Sequence, residues 1–108
     1  MEEFDSRFEI ILYAGNAESG AMMAMEAARE RNFEEARAKI AYATEELHKA
    51  HQIQTNLLHE NASGKELKMD ILMVHAQDHL TMGSLLKDIA SEIISLSERV
   101  SELEEKIK

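Results

Sequence analysis

The chain has 108 residues and a formal net charge of −9, from 21 acidic residues against 12 lysines and arginines, and it contains no cysteine, proline or tryptophan. Without thiols it cannot be a disulfide scaffold, a cysteine-ligated metal protein or a thiol enzyme. The surplus of acids argues against nucleic-acid binding, which requires surplus Lys and Arg to neutralise phosphates.

The sequence also argues against a membrane location. No apolar run approaches the roughly 20 residues that a membrane-spanning helix needs, so we predict no direct membrane insertion. Residues 1–5 are acidic and lack the basic and apolar regions of a signal peptide. We therefore expect a soluble, cytoplasmic protein.

The composition favours an all-α fold, because four glycines and no proline leave few helix breakers. We predict three helices, over about residues 4–30, 33–60 and 65–106, in a single domain that spans residues 1–108. Asn32 with Glu35 and Ser63 with Glu66 have the spacing of capping boxes for the second and third helices. Helices joined by such short connections predict an antiparallel up-down-up three-helix bundle.

Each predicted helix carries a heptad seam, a stripe of residues at alternating spacings of three and four. The seam of the first helix is apolar apart from Glu18 and comprises Phe4, Phe8, Ile11, Gly15, Glu18, Met22 and Met25. The seam of the second helix comprises Phe33, Ala36, Ile40, Ala43, Leu47, Ala50, Gln54 and Leu57. The seam of the third helix is apolar apart from two histidines and comprises Leu72, His75, His79, Met82, Leu86, Ile89, Ile93, Leu96, Val100, Leu103 and Ile107.

The two seam histidines, with an aspartate between them, are the candidate functional residues. His75, Asp78 and His79 fall on one helix face within about one turn. They are either interface residues whose polar groups are hydrogen-bonded or members of a functional site, because polar groups on an apolar stripe cost free energy unless they are paired. A neutral imidazole can accept a phosphoryl group and release it again. Zinc ligation is the alternative chemistry, but the glutamate of the His-Glu-x-x-His motif is absent.

The window Val74-His75-Ala76-Gln77-Asp78-His79-Leu80 resembles the active-site signature of the lactose/cellobiose-type enzyme IIA proteins, which belong to the bacterial phosphoenolpyruvate-dependent sugar phosphotransferase system. Three other stretches resemble the same family, namely Tyr13-Ala14-Gly15-Asn16-Ala17, Asn32-Phe33 followed by Ala36, and Ala50-His51-Gln52-Ile53-Gln54-Thr55. The sequence departs from the family at Leu80-Thr81-Met82-Gly83, where Leu-Met-Thr and then Ser or Thr is expected. We expect Gly83 to allow a neighbouring helix or a partner backbone to approach closely.

The resemblance implies a homotrimer of nine helices with the third helices near the axis. It implies that His75 accepts a phosphoryl group from phospho-HPr and passes it to enzyme IIB, during uptake of a lactose-, cellobiose- or chitobiose-type disaccharide. It also implies that Asp78 binds a metal ion on the trimer axis, and we expect one Mg²⁺ per trimer because that ion prefers oxygen ligands. His79 and Gln54 are expected as supporting polar groups near the reacting imidazole.

Other functions stay open at this point. One is a structural trimeric helical-bundle module, in which the histidines pack at an interface. Another is the histidine phosphotransfer domain of a two-component system, although its His-x-x-Lys-Gly-like context is missing after His75. A metal-dependent enzyme on a helical bundle ranks last, because no Glu-x-x-His pattern is repeated on two helices.

Overall fold

The fold is a bundle of three α-helices, in a computed structural model that describes residues 5–108. The helices are α1 (Ser6–Arg29), α2 (Phe33–Ala62) and α3 (Ile71–Ile107). The bundle is elongated, with extents of 64 × 27 × 20 Å. The predicted all-α, three-helix architecture is confirmed.

Contacts between the helices show their directions. Arg7 near the start of α1 binds Asp70 just before α3, and Arg31 just after α1 binds Glu104 near the end of α3, so α1 and α3 run parallel. Arg37 near the start of α2 binds Glu98 towards the end of α3, whereas Gln54, further along α2, binds Gln77 near the start of α3. The helices α2 and α3 therefore run antiparallel. The chain therefore has the predicted up-down-up course.

The start of α3 differs from the prediction. The helix begins at Ile71 and is capped by Asp70, whose side chain accepts a hydrogen bond from the Met73 backbone N–H at 3.0 Å. Ser63 instead lies at the end of α2, where its hydroxyl donates to the His59 carbonyl at 2.9 Å. The chain then turns through Gly64, whose φ of 102° is unfavourable for other residues, so the predicted cap at Ser63 and helix start at 65 are wrong.

The cap of α2 is confirmed in its main feature. The Asn32 side chain accepts a hydrogen bond from the Glu35 backbone N–H at 3.2 Å. The Asn32 backbone N–H donates to the Ala27 carbonyl at 2.9 Å, so it serves the end of α1. One residue thus helps to end α1 and to begin α2.

The core between the helices is built largely from alanine. The seam of α2 enters it, since Ala36, Ala43, Leu47 and Ala50 are buried. In α1 and α3 the buried stripes are displaced by one residue from the predicted seams, and they comprise Ile10, Ala14, Ala17, Ala21, Ala24 and Ala28, and Met73, Ala76, Leu80, Gly83, Ala90 and Ile94. A displacement of one residue is a rotation of about 100°. The described seam residues of α1 and α3 therefore lie beside the core and are partly or largely exposed, and Phe4 of the predicted α1 seam lies outside the described residues.

These outward-facing side chains form a long surface that we call the outer apolar face. Its members are all at least two-fifths exposed and comprise Phe8, Met22, Met82, Ile89, Ile93, Leu96, Val100 and Leu103. Met22 of α1 and Ile93 of α3 line the same surface groove, so the two helices contribute to one face. Contiguous apolar surface of this extent marks an interaction site.

One glycine permits the close packing of α3 on α1. A Cβ added at Gly83 would lie 3.2 Å from the backbone oxygen of Ala14 and 3.2 Å from Cδ2 of Leu47. The expected close approach at Gly83 is confirmed for the neighbouring helices of the same chain.

A buried carboxylate joins α1 to α2. Glu46 is 5% exposed, accepts a hydrogen bond from Asn16 Nδ2 at 2.8 Å and pairs with Lys49 Nζ at 2.7 Å. These partners, Lys49 first, hold the pKa of Glu46 below its usual value despite burial. No local pattern in the sequence indicated this contact.

Candidate functional site

The two seam histidines lie together in the first turns of α3. The centroids of the His75 and His79 rings are 4.6 Å apart, and the rings are nearly perpendicular at 88°. His75 is exposed, whereas His79 is partly buried beneath it at the side of α1. The edge-to-face contact restricts the orientation of the exposed imidazole.

The partner of His79 comes from α1. His79 Nδ1 lies 2.8 Å from Glu18 Oε1, and both side chains are 22% exposed. The polar interruption of the α1 seam therefore contacts one of the two polar interruptions of the α3 seam. Sequence reasoning noted Glu18 as an exception but did not assign it to the site. The signal available in the sequence was that Glu18 occupies the same heptad stripe as the apolar residues of the α1 seam.

Asp78 lies at the edge of the same surface. It is exposed, and its spacing of three from His75 and four from Met82 aligns it with the outer apolar face. Within residues 5–108 of one chain, no group of three histidines or carboxylates is arranged to hold a metal ion.

Gln54 is not brought to His75 within the chain. Its Nε2 donates to Gln77 Oε1, and residue 77 projects about 200° around the helix from residue 75. Gln54 instead lines a surface cavity of about 460 Å³ together with His51, Leu80, Thr81, Ser84, Leu85 and Asp88. The structure thus groups Glu18, His75 and His79 and leaves Gln54 on another side of α3.

Charged groups anchor the helix turn that precedes the histidines. Arg7 Nη1 donates to both carboxylate oxygens of Asp70, and Arg7 also binds Asp5. The pKa of Asp70 lies below its usual value, first because of the hydrogen bond from the Met73 backbone and then because of Arg7. The pKa of Asp5 is lowered mainly by its hydrogen bond from the Arg7 side chain. These contacts hold the beginning of α3 against the beginning of α1.

A helical bundle that presents an exposed imidazole, oriented by a second histidine, fits the class of histidine phosphocarriers. The sequence of residues 5–98 matches the family described as "PTS system, Lactose/Cellobiose specific IIA subunit". The chain belongs to this family of enzyme IIA components of the phosphotransferase system, and the resemblance seen in the seven-residue window is confirmed.

Known relatives agree with this assignment. The chain is 50% identical over 95 residues to the lichenan-specific phosphotransferase enzyme IIA component of Bacillus subtilis, covering 88% of this chain and 86% of that protein. It is similar to the crystal structure of the cellobiose-specific enzyme IIA from Bacillus anthracis, with a TM-score of 0.88, 35% identity, and coverage of 90% and 89% of the two chains.

A third relative was solved together with a partner. It is the IIA(chitobiose) of Escherichia coli in its complex with HPr, with a TM-score of 0.80, 30% identity, and coverage of 94% of this chain and 99% of that chain. The chain is accordingly a phosphocarrier of the sugar phosphotransferase system, as predicted. None of the three helices described within residues 5–108 contains an apolar stretch that could span a lipid bilayer.

Proposed function

We propose that His75 carries the phosphoryl group, which it accepts from phospho-HPr and passes to enzyme IIB. The observation that carries this proposal is the placement of His75, an exposed imidazole on α3 whose ring packs edge-to-face on the partly buried His79. Exposure lets a protein-bound donor reach the ring, and the packing limits the orientations that the ring explores. The other three histidines lie on α2, each of them exposed and apart from the Glu18–His79 pair.

The transfer requires no external base. The lone pair of a neutral His75 ring nitrogen forms the bond to phosphorus while the bond between phosphorus and the donor breaks, and the released electron pair stays on the donor. In transfer to enzyme IIB, a lone pair of the acceptor forms the bond to phosphorus while the bond between phosphorus and His75 breaks, and the released electron pair stays on the His75 nitrogen. Positioning and charge stabilisation supply most of the catalysis in such reactions.

HPr is the proposed donor because a relative of this chain forms a complex with it. The net charge of −9 favours docking partners with a basic face, since opposite charges steer association. Membership of the enzyme IIA family supports an enzyme IIB as the acceptor.

We also propose that the chain works as a homotrimer of nine helices. The support is the outer apolar face, which a single chain leaves exposed along most of α3. Three parallel copies of α3 with a heptad repeat would bury this face around an axis. His75 would then lie at the edge of the assembly's interface.

Asp78 is the residue that would hold a metal ion in such a trimer. Its carboxylate is exposed and lies at the edge of the apolar seam, so a threefold axis would bring three copies towards one another. Three carboxylates at close range repel, and Mg²⁺, which prefers oxygen ligands, would relieve that repulsion. The donor chemistry fits the ion, and we propose one Mg²⁺ per trimer.

The proposed transport substrate is a disaccharide of the lactose, cellobiose or chitobiose type. The support lies in the relatives, whose names refer to lichenan, lactose and cellobiose. His79 is proposed to support His75 within the chain. Gln54 would support His75 only through a contact between subunits.

The decisive experiment is phosphorylation with defined partners. The protein is incubated with phosphoenolpyruvate, enzyme I and HPr, and its intact mass is recorded before the modified residue is mapped. We expect one acid-labile phosphoryl group on His75, none on a folded His75→Gln variant, and unchanged labelling of His48→Gln, which changes an exposed histidine of α2. A folded wild-type protein that accepts nothing would overturn the proposal and favour a structural role for the histidines.

A further inference from the structure

We propose that Glu18 is a positioning residue for phosphoryl transfer, acting on His75 through His79. This inference rests on the proposed role of His75 and extends it to a residue on a different helix. Glu18 is 61 positions from His79 in sequence, yet its Oε1 lies 2.8 Å from His79 Nδ1. The separation is typical of a well-formed charge-assisted hydrogen bond.

The contact determines which ring nitrogen of His79 carries a hydrogen. A carboxylate only accepts hydrogen bonds, so His79 Nδ1 must carry the hydrogen and donate it to Glu18. The other ring nitrogen of His79, Nε2, lies on the side of the ring away from Glu18. A histidine whose second nitrogen is held by a carboxylate has a restricted tautomer and ring orientation.

The restricted ring is the one on which His75 packs. Because the two rings meet edge-to-face at 4.6 Å, rotation of His79 would change the surface that supports His75. The Glu18 side chain is only 22% exposed, and α1 packs against α3, so the carboxylate lies close to the His79 ring. The structure therefore contains a series of contacts from Glu18 to His79 and from His79 to His75.

This arrangement explains why Glu18 interrupts an apolar stripe. A carboxylate at this position costs desolvation free energy unless it is hydrogen-bonded. The hydrogen bond to His79 offsets that cost. A purely structural role would be met by any apolar pair in the same positions.

The test combines Glu18→Ala, Glu18→Gln and a matched control, Asn16→Ala. The control removes another hydrogen bond of 2.8 Å between helices, from Asn16 Nδ2 to Glu46 Oε1, on the same helix as Glu18. The first readout is the ¹⁵N spectrum of the His79 ring at pH 8 in the unphosphorylated full-length protein. The second is the rate of phosphoryl transfer from phospho-HPr, resolved into kcat and KM.

We expect a hydrogen on His79 Nδ1 in the wild type and in Asn16→Ala, and its loss in Glu18→Ala. Glu18→Gln retains an acceptor oxygen and should partly preserve the tautomer. In Glu18→Ala the kcat for transfer should fall about tenfold, as expected for one lost hydrogen bond to a charged group, with KM for HPr unchanged. Asn16→Ala should retain the wild-type kcat.

The two proposals fail separately. If the wild type is never phosphorylated on His75, the function proposed for His75 fails, whatever the spectrum shows. If His75 is phosphorylated but Glu18→Ala transfers at the wild-type kcat, or if the wild-type spectrum shows no hydrogen on His79 Nδ1, the role of Glu18 is refuted. Equal losses of kcat in Glu18→Ala and Asn16→Ala would also refute it, because they would indicate general destabilisation.

Discussion

Arg7 Nη1 donates to both carboxylate oxygens of Asp70, at 2.8 and 2.9 Å, and so joins the first turn of α1 to the N-cap of α3. Asp70 also accepts from the Met73 backbone, so one carboxylate satisfies an unpaired helix amide and an arginine. His75 lies five residues further along α3. The position of the proposed phosphoryl acceptor thus depends on a contact between segments 63 residues apart.

This contact predicts the acid sensitivity of the fold. The pKa values of Asp70 and Asp5 are lowered in the folded protein, so their stabilisation is complete above the unfolded value of about 3.9 and is lost as the pH falls through the lower folded values. Thermal unfolding between pH 6 and pH 2.5 should show a falling Tm below about pH 4.

The matched variant for this prediction is Asp70→Asn, which retains a capping side chain but cannot be ionised. It should have a lower Tm than the wild type at pH 6 and a smaller further decrease on acidification. If the Tm of the variant and that of the wild type decreased in parallel, the ionised Asp70 would not contribute, and Asp5 and Glu46 would have to account for the acid sensitivity.

The packing at Gly83 predicts a steric effect on stability. In Gly83→Val the new side chain would meet the Ala14 backbone, which cannot move without shifting α1, and we expect a loss of about 1–3 kcal/mol in the free energy of unfolding. The measurement is urea unfolding followed by circular dichroism. Gly15→Ala is the control, because its added methyl group meets no atom of a neighbouring helix within 4 Å and should stabilise the helix by about 0.5–1 kcal/mol. Equal stability of Gly83→Val and the wild type would show that α1 and α3 are less closely packed.

The outer apolar face predicts the effect of a charge on assembly. Ile93 is 41% exposed in the single chain, and a lysine there should prevent three copies of α3 from burying the seam. Sedimentation equilibrium should show a trimer for the wild type and mainly monomer for Ile93→Lys. Leu58→Lys, at a 61% exposed apolar residue of α2, should remain trimeric. A trimeric Ile93→Lys protein would show that the interface lies elsewhere.

The proposed metal site predicts a response to chelation. With free Mg²⁺ at 100 times its dissociation constant, binding would stabilise the trimer by about 2.7 kcal/mol, and EDTA should remove this contribution and lower the Tm. Asp78→Asn lacks both the charge repulsion and the charged ligands, so its Tm should not respond to EDTA. A wild-type Tm that is the same with Mg²⁺ and with EDTA would contradict the proposal.

Much of this protein could be predicted from the sequence, because the relevant signals are local. The lack of helix breakers predicted three helices, the Asn32 cap placed the start of α2, and the seam of α2 identified its buried apolar residues. The window around His75 was sufficient to identify the family, because it is a contiguous run of residues on one helix. Such features depend on backbone propensity and on spacing along a single helix, which are properties of the chain itself.

Only the tertiary structure decided which way the other seams face and which residues meet. A heptad repeat shows that one side of a helix is apolar, but it does not show whether that side packs within the chain or outside it, and in α1 and α3 it lies outside. Ser63 and Asp70 are both suitable caps by residue type, and Arg7 stabilises the second one from another helix. The pairing of Glu18 with His79 likewise arises because α1 and α3 run parallel in contact, a long-range relationship that no local pattern contains.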